Sequence, residues 1–265
     1  MFTAIAAGVN EMLLELQNVT KTYWSGVMRN KAFHAVKNVD LEIGEREIFG
    51  IIGESGSGKT TTCKIIMGLL KPTSGAVLYK GEDITKFGKA KWHELRKSIQ
   101  MIFQHPQMTF NPRSTVYSAC AEPIRIYKLA KNAEEEREMV LNILDRVGVS
   151  RDQLEKYPHE ISGGQAQRLS IARTLLLKPS LLICDEPTSM LDISVQAQIL
   201  SLLKEIHGKE NLTLLYISHN LDVVASICDR IAVMKDGEIV ELGNTEEVFA
   251  SPKHDYTKRL LSARI

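Results

Sequence analysis

The chain has 265 residues, with 33 Lys plus Arg against 32 Asp plus Glu and a formal net charge of +1, so it lacks the positive surplus that drives nucleic-acid binding. At 44% hydrophobic and 25% charged residues it falls among ordinary globular proteins, long enough for one large domain or a domain carrying a subdomain. A bilayer span needs about 20 predominantly apolar residues, and the longest candidate, Leu175 to Ile183, is cut by Lys178 and Pro179.

Residues 1–11 are apolar but have no basic segment ahead of them, and they are expected to form an extension before the first strand. Alternation at Leu14, Leu16 and Val19, then at Val36, Val39, Leu41 and Ile43 beyond a loop around Ser25 and Gly26, predicts an antiparallel sheet. Ile48 to Ile52 is a short apolar run of the kind buried on both faces, and it leads directly into glycines. Further runs at Met101 to Phe103, Leu181 to Cys184, Leu212 to Ile217 and Ile231 to Met234 alternate with helical patterns, the signature of parallel α/β architecture. Ile231 to Met234 and Glu238 to Leu242 read as a hairpin around Asp236-Gly237.

From about Pro106 strands give way to helical periodicity. Asn132 is expected to cap a helix with the apolar stripe Met139, Val140, Ile143, Leu144 and Val147, closed by Gly148. A helical subdomain over about 106–173 is thus inserted in a domain spanning 12–250, with a short tail over 251–265. Cys63, Cys120, Cys184 and Cys228 lie far apart without a CxxC pair and are expected as buried free thiols of a reduced compartment.

Gly53-Glu54-Ser55-Gly56-Ser57-Gly58-Lys59-Thr60 fits G-x-x-x-x-G-K-[ST] between a buried strand and the helical pattern Thr61 to Leu70. Glycines let the backbone curl so that successive N–H groups face phosphate oxygens, and the following helix adds its positive end. Lys59 supplies a charge near the β and γ phosphates, and Thr60 offers its hydroxyl to Mg²⁺. The strand Leu181 to Cys184 ends in Asp185 and Glu186, where Asp185 can hold Mg²⁺ and Glu186 can position or deprotonate the attacking water.

Three more segments complete a pattern: Ile161-Ser162-Gly163-Gly164-Gln165, Ser189-Met190-Leu191-Asp192 and Ile217-Ser218-His219. With the phosphate loop they resemble the ATP-binding cassette (ABC) ATPases, in all the defining motifs and in order. The resemblance implies a P-loop ATPase core with a mixed sheet, an N-terminal antiparallel β subdomain and an inserted α-helical subdomain. Ser162 is a good N-cap, and Gly163 and Gly164 bare N–H groups at a positive helix end. The resemblance implies that this tip, with Gln165, completes the ATP site of an opposing subunit, with Asp192 in a loop at the dimer interface. It further implies that Tyr23 stacks on adenine, that Thr61 joins the nucleotide-binding set, that Gln104 bridges Mg²⁺ and the helical insertion, and that His219 hydrogen-bonds the γ phosphate.

Phe103 to Arg113 and Ser251 to Leu261 are similar to segments of ATPase subunits from peptide and nickel importers, although His105 stands where Asp is usual. This implies uptake of oligopeptides, dipeptides or a chelated metal such as nickel. The implied partners are a second ABC ATPase subunit (a paralogue, or the chain itself), integral membrane permease subunits and, indirectly, an external solute-binding protein, at the cytoplasmic face of the membrane. The implied groove for a permease helix lies between the helical insertion and Gln104 to Arg113. The alternative is a soluble ABC ATPase acting on nucleic acid or the ribosome, which the balanced charge and single phosphate loop disfavour. The cluster Lys86, Lys89, Lys91, Arg96 and Lys97 reads as a solvated face, with anionic lipid as the other reading.

Overall fold

The computed structural model describes residues 12–25 and 31–262. The expected extension 1–11 and the Gly26 turn lie outside these residues. Strands β1 (Met12–Ser25) and β2 (Lys31–Gly44) form a long antiparallel pair. Then come β3 (Ile48–Ile52), α1 (Lys59–Ile66), β4 (Ser74–Tyr79), β5 (Glu82–Asp83), α2 (Lys89–Ser98) and β6 (Ile99–Ile102). The stretch before the next strand is helical: α3 (Val116–Ile126), α4 (Ala133–Arg146) and α5 (Gly163–Leu175). The chain then alternates through β7 (Leu181–Asp185), α6 (Ile193–Glu210), β8 (Thr213–Ile217), α7 (Leu221–Ile227), β9 (Arg230–Lys235) and β10 (Glu238–Asn244), and closes with α8 (Thr245–Ala250) and α9 (Asp255–Ser262).

Two sheets result. One is antiparallel in the order β2-β1-β4-β5; the other runs β10-β9-β3-β8-β7-β6, parallel except for the edge strand β10. The hairpin between β9 and β10 turns on Asp236 and Gly237, both at positive φ, which suits a strand twist to the right. Because side chains alternate along a strand, the parallel sheet is buried on both faces. Phe49, Ile51, Ile183, Leu215 and Ile217 pack with the antiparallel sheet and α1. Ile52, Leu182, Cys184, Leu214 and Tyr216 pack with the helices of the other layer. All four cysteines are free and buried.

Three sequence expectations shift. The helix expected to reach Leu70 stops at Ile66, because Gly68 adopts φ +64° and its N–H and that of Leu69 turn back to the carbonyls of Ile65 and Lys64. The strand placed at Met101 to Phe103 begins earlier, at Ile99, where the chain pairs with Leu181. Strand β4 was not anticipated: it starts Ser-Gly and only two of its six residues are buried, so its periodicity is weak. The helix capped by Asn132 forms as expected, its side chain accepting from the Glu135 N–H at 2.9 Å.

Candidate functional site

The register of the parallel strands assembles the site. Ile217 stands opposite Asp185 on one side and Ile51 on the other, and Ile102 pairs with Cys184. The residues just past β3, β6, β7 and β8 therefore meet along one sheet edge: the phosphate loop, Gln104, Glu186 and His219. Ligands of open α/β sheets bind at this carboxyl edge.

The loop has the curl its glycines permit. Gly53, Gly56 and Gly58 have φ of +149°, +82° and +109°. A Cβ at Gly53 would collide with the carbonyl oxygen of Met234, and one at Gly58 would lie 2.5 Å from that of Ala35, so β9 and β2 press the loop from below. Gly56 faces open space, leaving its backbone free to approach a ligand. Lys59 is folded into the loop, donating to the carbonyls of Gly53 at 2.7 Å and Glu54 at 2.8 Å and lying 3.4 Å from Ser57 Oγ. Burial holds its ammonium below the ordinary lysine range, against the pull of Glu186 and Asp185. Ser55 is exposed, and Thr61 follows Thr60 in the first turn of α1.

The acidic pair divides between two groups. Asp185 is buried, and the Thr60 hydroxyl donates to its Oδ1 at 3.3 Å. Burial pushes its carboxyl above the usual range, outweighing that bond and the charge of Lys59. Glu186 has φ +48°, a conformation L residues seldom adopt, and this turns its side chain away from Asp185. Its carboxylate meets Gln104 Nε2 at 2.8 Å through Oε2 and His219 Nδ1 at 3.0 Å through Oε1. The Gln104 amide nitrogen also reaches Ser189 Oγ at 3.3 Å. Thus Thr60 and Asp185 form one pair and Gln104, Glu186 and His219 another cluster; Gln104, which the resemblance places beside Mg²⁺, sits in the second.

The donor set fits Mg²⁺. Thr60 and Asp185 present hard oxygens, and among the described residues no group of three or more His, Cys, Asp or Glu builds a closed metal cage. Mg²⁺ typically takes one or two protein oxygens and completes its shell with phosphate and water.

Ser162 caps α5 reciprocally with Gln165: Ser162 Oγ accepts from the Gln165 N–H at 3.2 Å, and Gln165 Oε1 from the Ser162 N–H at 2.9 Å. Gly163 and Gly164 lie against Leu191 and Val195 at the start of α6; a Cβ on Gly164 would come within 2.6 Å of Val195 Cγ1. Asp192 caps α6, accepting from the Val195 N–H at 2.9 Å. Tyr23 lies near the exposed end of β1, paired with Phe33, with the Lys21 ammonium 5.4 Å from its ring centre. In the basic cluster, Lys86, Lys91 and Lys97 are paired with Asp83, Glu82 and Glu94, and the Arg96 guanidinium lies 6.0 Å from the Trp92 ring centre.

Two contacts escape sequence reading. Gln107 Nε2 donates to the Ile161 carbonyl at 3.3 Å, tying the segment after Gln104 to the residue before Ser162. Tyr256 in α9 receives a phosphate-loop N–H. Side-chain bonds spanning tens or hundreds of residues leave no periodic trace.

The chain resembles characterised proteins over nearly its full length. The family model described as ABC transporter matches residues 36–189. The oligopeptide transport ATP-binding protein OppF of Streptococcus mutans is 44% identical over 95% of this chain and 81% of its own. The dipeptide transport ATP-binding protein DppF of Lactococcus lactis is 44% identical over 95% of this chain and 80% of its own. A solved ATP-binding cassette, described as a dimer in a post-hydrolysis state bound to ADP and Pi, superposes with a TM-score of 0.80 at 32% identity over 88% of this chain and 99% of its own. A phosphate loop facing an acidic strand end, in a cassette matched over this length and at this identity, places the chain in the ABC transporter family as one of its ATPases.

Proposed function

We propose that the chain is the ATP-hydrolysing subunit of an ABC importer that takes up oligopeptides or dipeptides, bound to permease subunits at the cytoplasmic face of a membrane. The names of its relatives support peptides over a nickel chelate. No helix among the described residues is long and apolar enough to cross a membrane, as suits a subunit that works beside permeases. The observation that carries the reading is the cluster Gln104–Glu186–His219 at the mouth of the phosphate loop.

Phosphoryl transfer asks for positioning and charge neutralisation more than for covalent chemistry. Lys59 turns from the loop carbonyls to the γ phosphate, and the N–H groups of Gly56 through Thr61 take up the remaining oxygens. Tyr23 stacks on the adenine. Thr60, Asp185 and Gln104 would hold Mg²⁺, which would neutralise charge on the phosphates. Glu186 accepts a proton from the attacking water, with Gln104 and His219 fixing its carboxylate and His219 also hydrogen-bonding the γ phosphate. Ser162, Gly163, Gly164 and Gln165 serve the nucleotide of a second ATPase subunit, a paralogue or another copy, with Asp192 lining the contact. The isolated chain therefore hydrolyses ATP weakly.

A cavity of about 230 Å³ lined by Phe103, Thr109, Pro123 and Arg173 joins the Gln104 segment to α3 and α5. It has room for a side chain of a permease helix laid across this face, and such a contact would couple the permease to Gln104. Glu186→Gln keeps the hydrogen-bonding shape but not the base: hydrolysis is expected to fall by about 10²- to 10⁴-fold while ATP affinity stays within a few-fold. Normal turnover by this variant overturns the assignment.

A further inference from the structure

The segment after β10 is strapped to the parallel sheet. Glu241 accepts the N–H groups of Lys253 at 2.8 Å and His254 at 2.9 Å, and His254 Nδ1 accepts the Tyr256 N–H at 3.0 Å. These bonds start α9 in a fixed position. They deliver Tyr256, only 4% exposed, beneath the phosphate loop, with the Lys235 ammonium 5.4 Å from its ring centre. Its hydroxyl oxygen accepts the Glu54 N–H at 3.0 Å, a contact across 202 residues. On the other side of Glu54, the carbonyl accepts from the Ser57 N–H at 3.2 Å and from Lys59 at 2.8 Å. Glu54 is the second residue after β3, following Gly53, and lies on the outer leg of the loop. Both of its peptide groups are thereby held, one by the loop and one by the C-terminal helix.

We propose that Tyr256 is a positioning residue for the phosphate loop: its hydroxyl fixes the Glu54 peptide, so that the loop keeps its curl while Lys59 leaves the carbonyls for a nucleotide phosphate. The proposal rests on the reading of Gly53 to Thr60 as the ATP phosphate site. A preformed loop binds more tightly because less order is lost on binding. Once Lys59 swings away, the Glu54 carbonyl keeps only the Ser57 bond, and the Tyr256 contact becomes the main tie from the loop's outer leg to the sheet. Burial pushes the Tyr256 phenol above its ordinary range, so the oxygen acts as a neutral acceptor across the working pH range.

The test is Tyr256→Phe in the full chain, which removes one oxygen and keeps the ring. Calorimetric titration with the non-hydrolysable analogue AMP-PNP and Mg²⁺ is expected to show about fivefold weaker binding, in keeping with loss of one hydrogen bond to a partly buried backbone group. Tm is expected to stay within about 2 °C, and in the assembled ATPase pair KM for ATP is expected to rise while kcat changes less than twofold. Unchanged affinity, or a Tm loss without an affinity loss, overturns the proposal. Failure of the wild-type chain to bind AMP-PNP points instead at the phosphate-site reading itself. Should the variant not fold, hydrogen exchange in the wild-type chain decides. The Glu54 amide is expected to exchange at least tenfold more slowly than the exposed Ser55 amide, and equal rates overturn the proposal.

Discussion

Asp185 and Glu186 are adjacent in sequence and chemically alike, yet the fold gives them different surroundings and different partners. Asp185 is the last residue of a buried strand, and burial pushes its carboxyl above the ordinary value of 3.8. A group whose pKa is raised by folding stabilises the fold fully below its ordinary value and loses that contribution as pH rises through the raised one. At neutral pH the Asp185 charge thus weighs against the ligand-free fold. Asp185→Asn is expected to raise the Tm of the ligand-free chain by about 2–4 °C, the effect of roughly 1 kcal/mol in a chain of this size, while abolishing Mg²⁺-dependent hydrolysis. The Tm difference should shrink as pH is lowered toward 3.8; a variant less stable than wild type at neutral pH contradicts it. Glu186, one residue on, leaves the strand at positive φ and reaches Gln104 and His219. The motif DE was legible in the sequence; the reversal of φ that separates its two carboxylates was not, because no residue type there demands it. The loop glycines differ. Gly53 carries both a φ of +149° and the Met234 carbonyl against its missing Cβ, so Gly53→Ala is expected to cost upwards of 2 kcal/mol and to abolish nucleotide binding, as thermal melts with and without ATP would show.

Local chemistry decides where the elements begin and end, and it is this chemistry that a sequence reveals unevenly. The Ser162–Gln165 capping box was readable, since Ser at N-cap and Gln three residues later satisfy two orphan N–H groups by their nature. Ser162→Ala removes one of those bonds and is expected to lower stability by about 1 kcal/mol, measurable by denaturant unfolding; no loss would show that packing of Gly163 and Gly164 on Leu191 and Val195 alone fixes the helix start. The end of α1 was less readable. Leu69 and Leu70 continue an apolar pattern, but Gly68 at φ +64° sends the chain back against Trp92, and tertiary packing overrides periodicity. Strand β4 was hidden for the related reason that it pairs on the antiparallel sheet with β1 along a half-exposed face. Buried strands such as β3, β7 and β8 were plain because both of their faces are covered and every residue is apolar or nearly so.

Across the whole molecule, the parallel sheet is the rigid body that brings four strand ends to one edge, and the helical layer carries Ser162 at the start of α5. The two are joined through Gln104, bonded to Glu186, and through Gln107, bonded to the carbonyl before Ser162. The proposed function makes the phosphate loop and the Ser162 helix tip halves of two different sites, each completed by another subunit. Sedimentation velocity of the Glu186→Gln chain tests this pairing most directly, run alone and mixed with a candidate paralogous ATPase subunit, with and without ATP and Mg²⁺. A species of twice the subunit mass is expected only when ATP is present, and is expected to disappear when Gly164, already within 2.6 Å of Val195 at the position of a Cβ, is replaced by Leu. Nucleotide bound by chains that stay monomeric in both mixtures would contradict it.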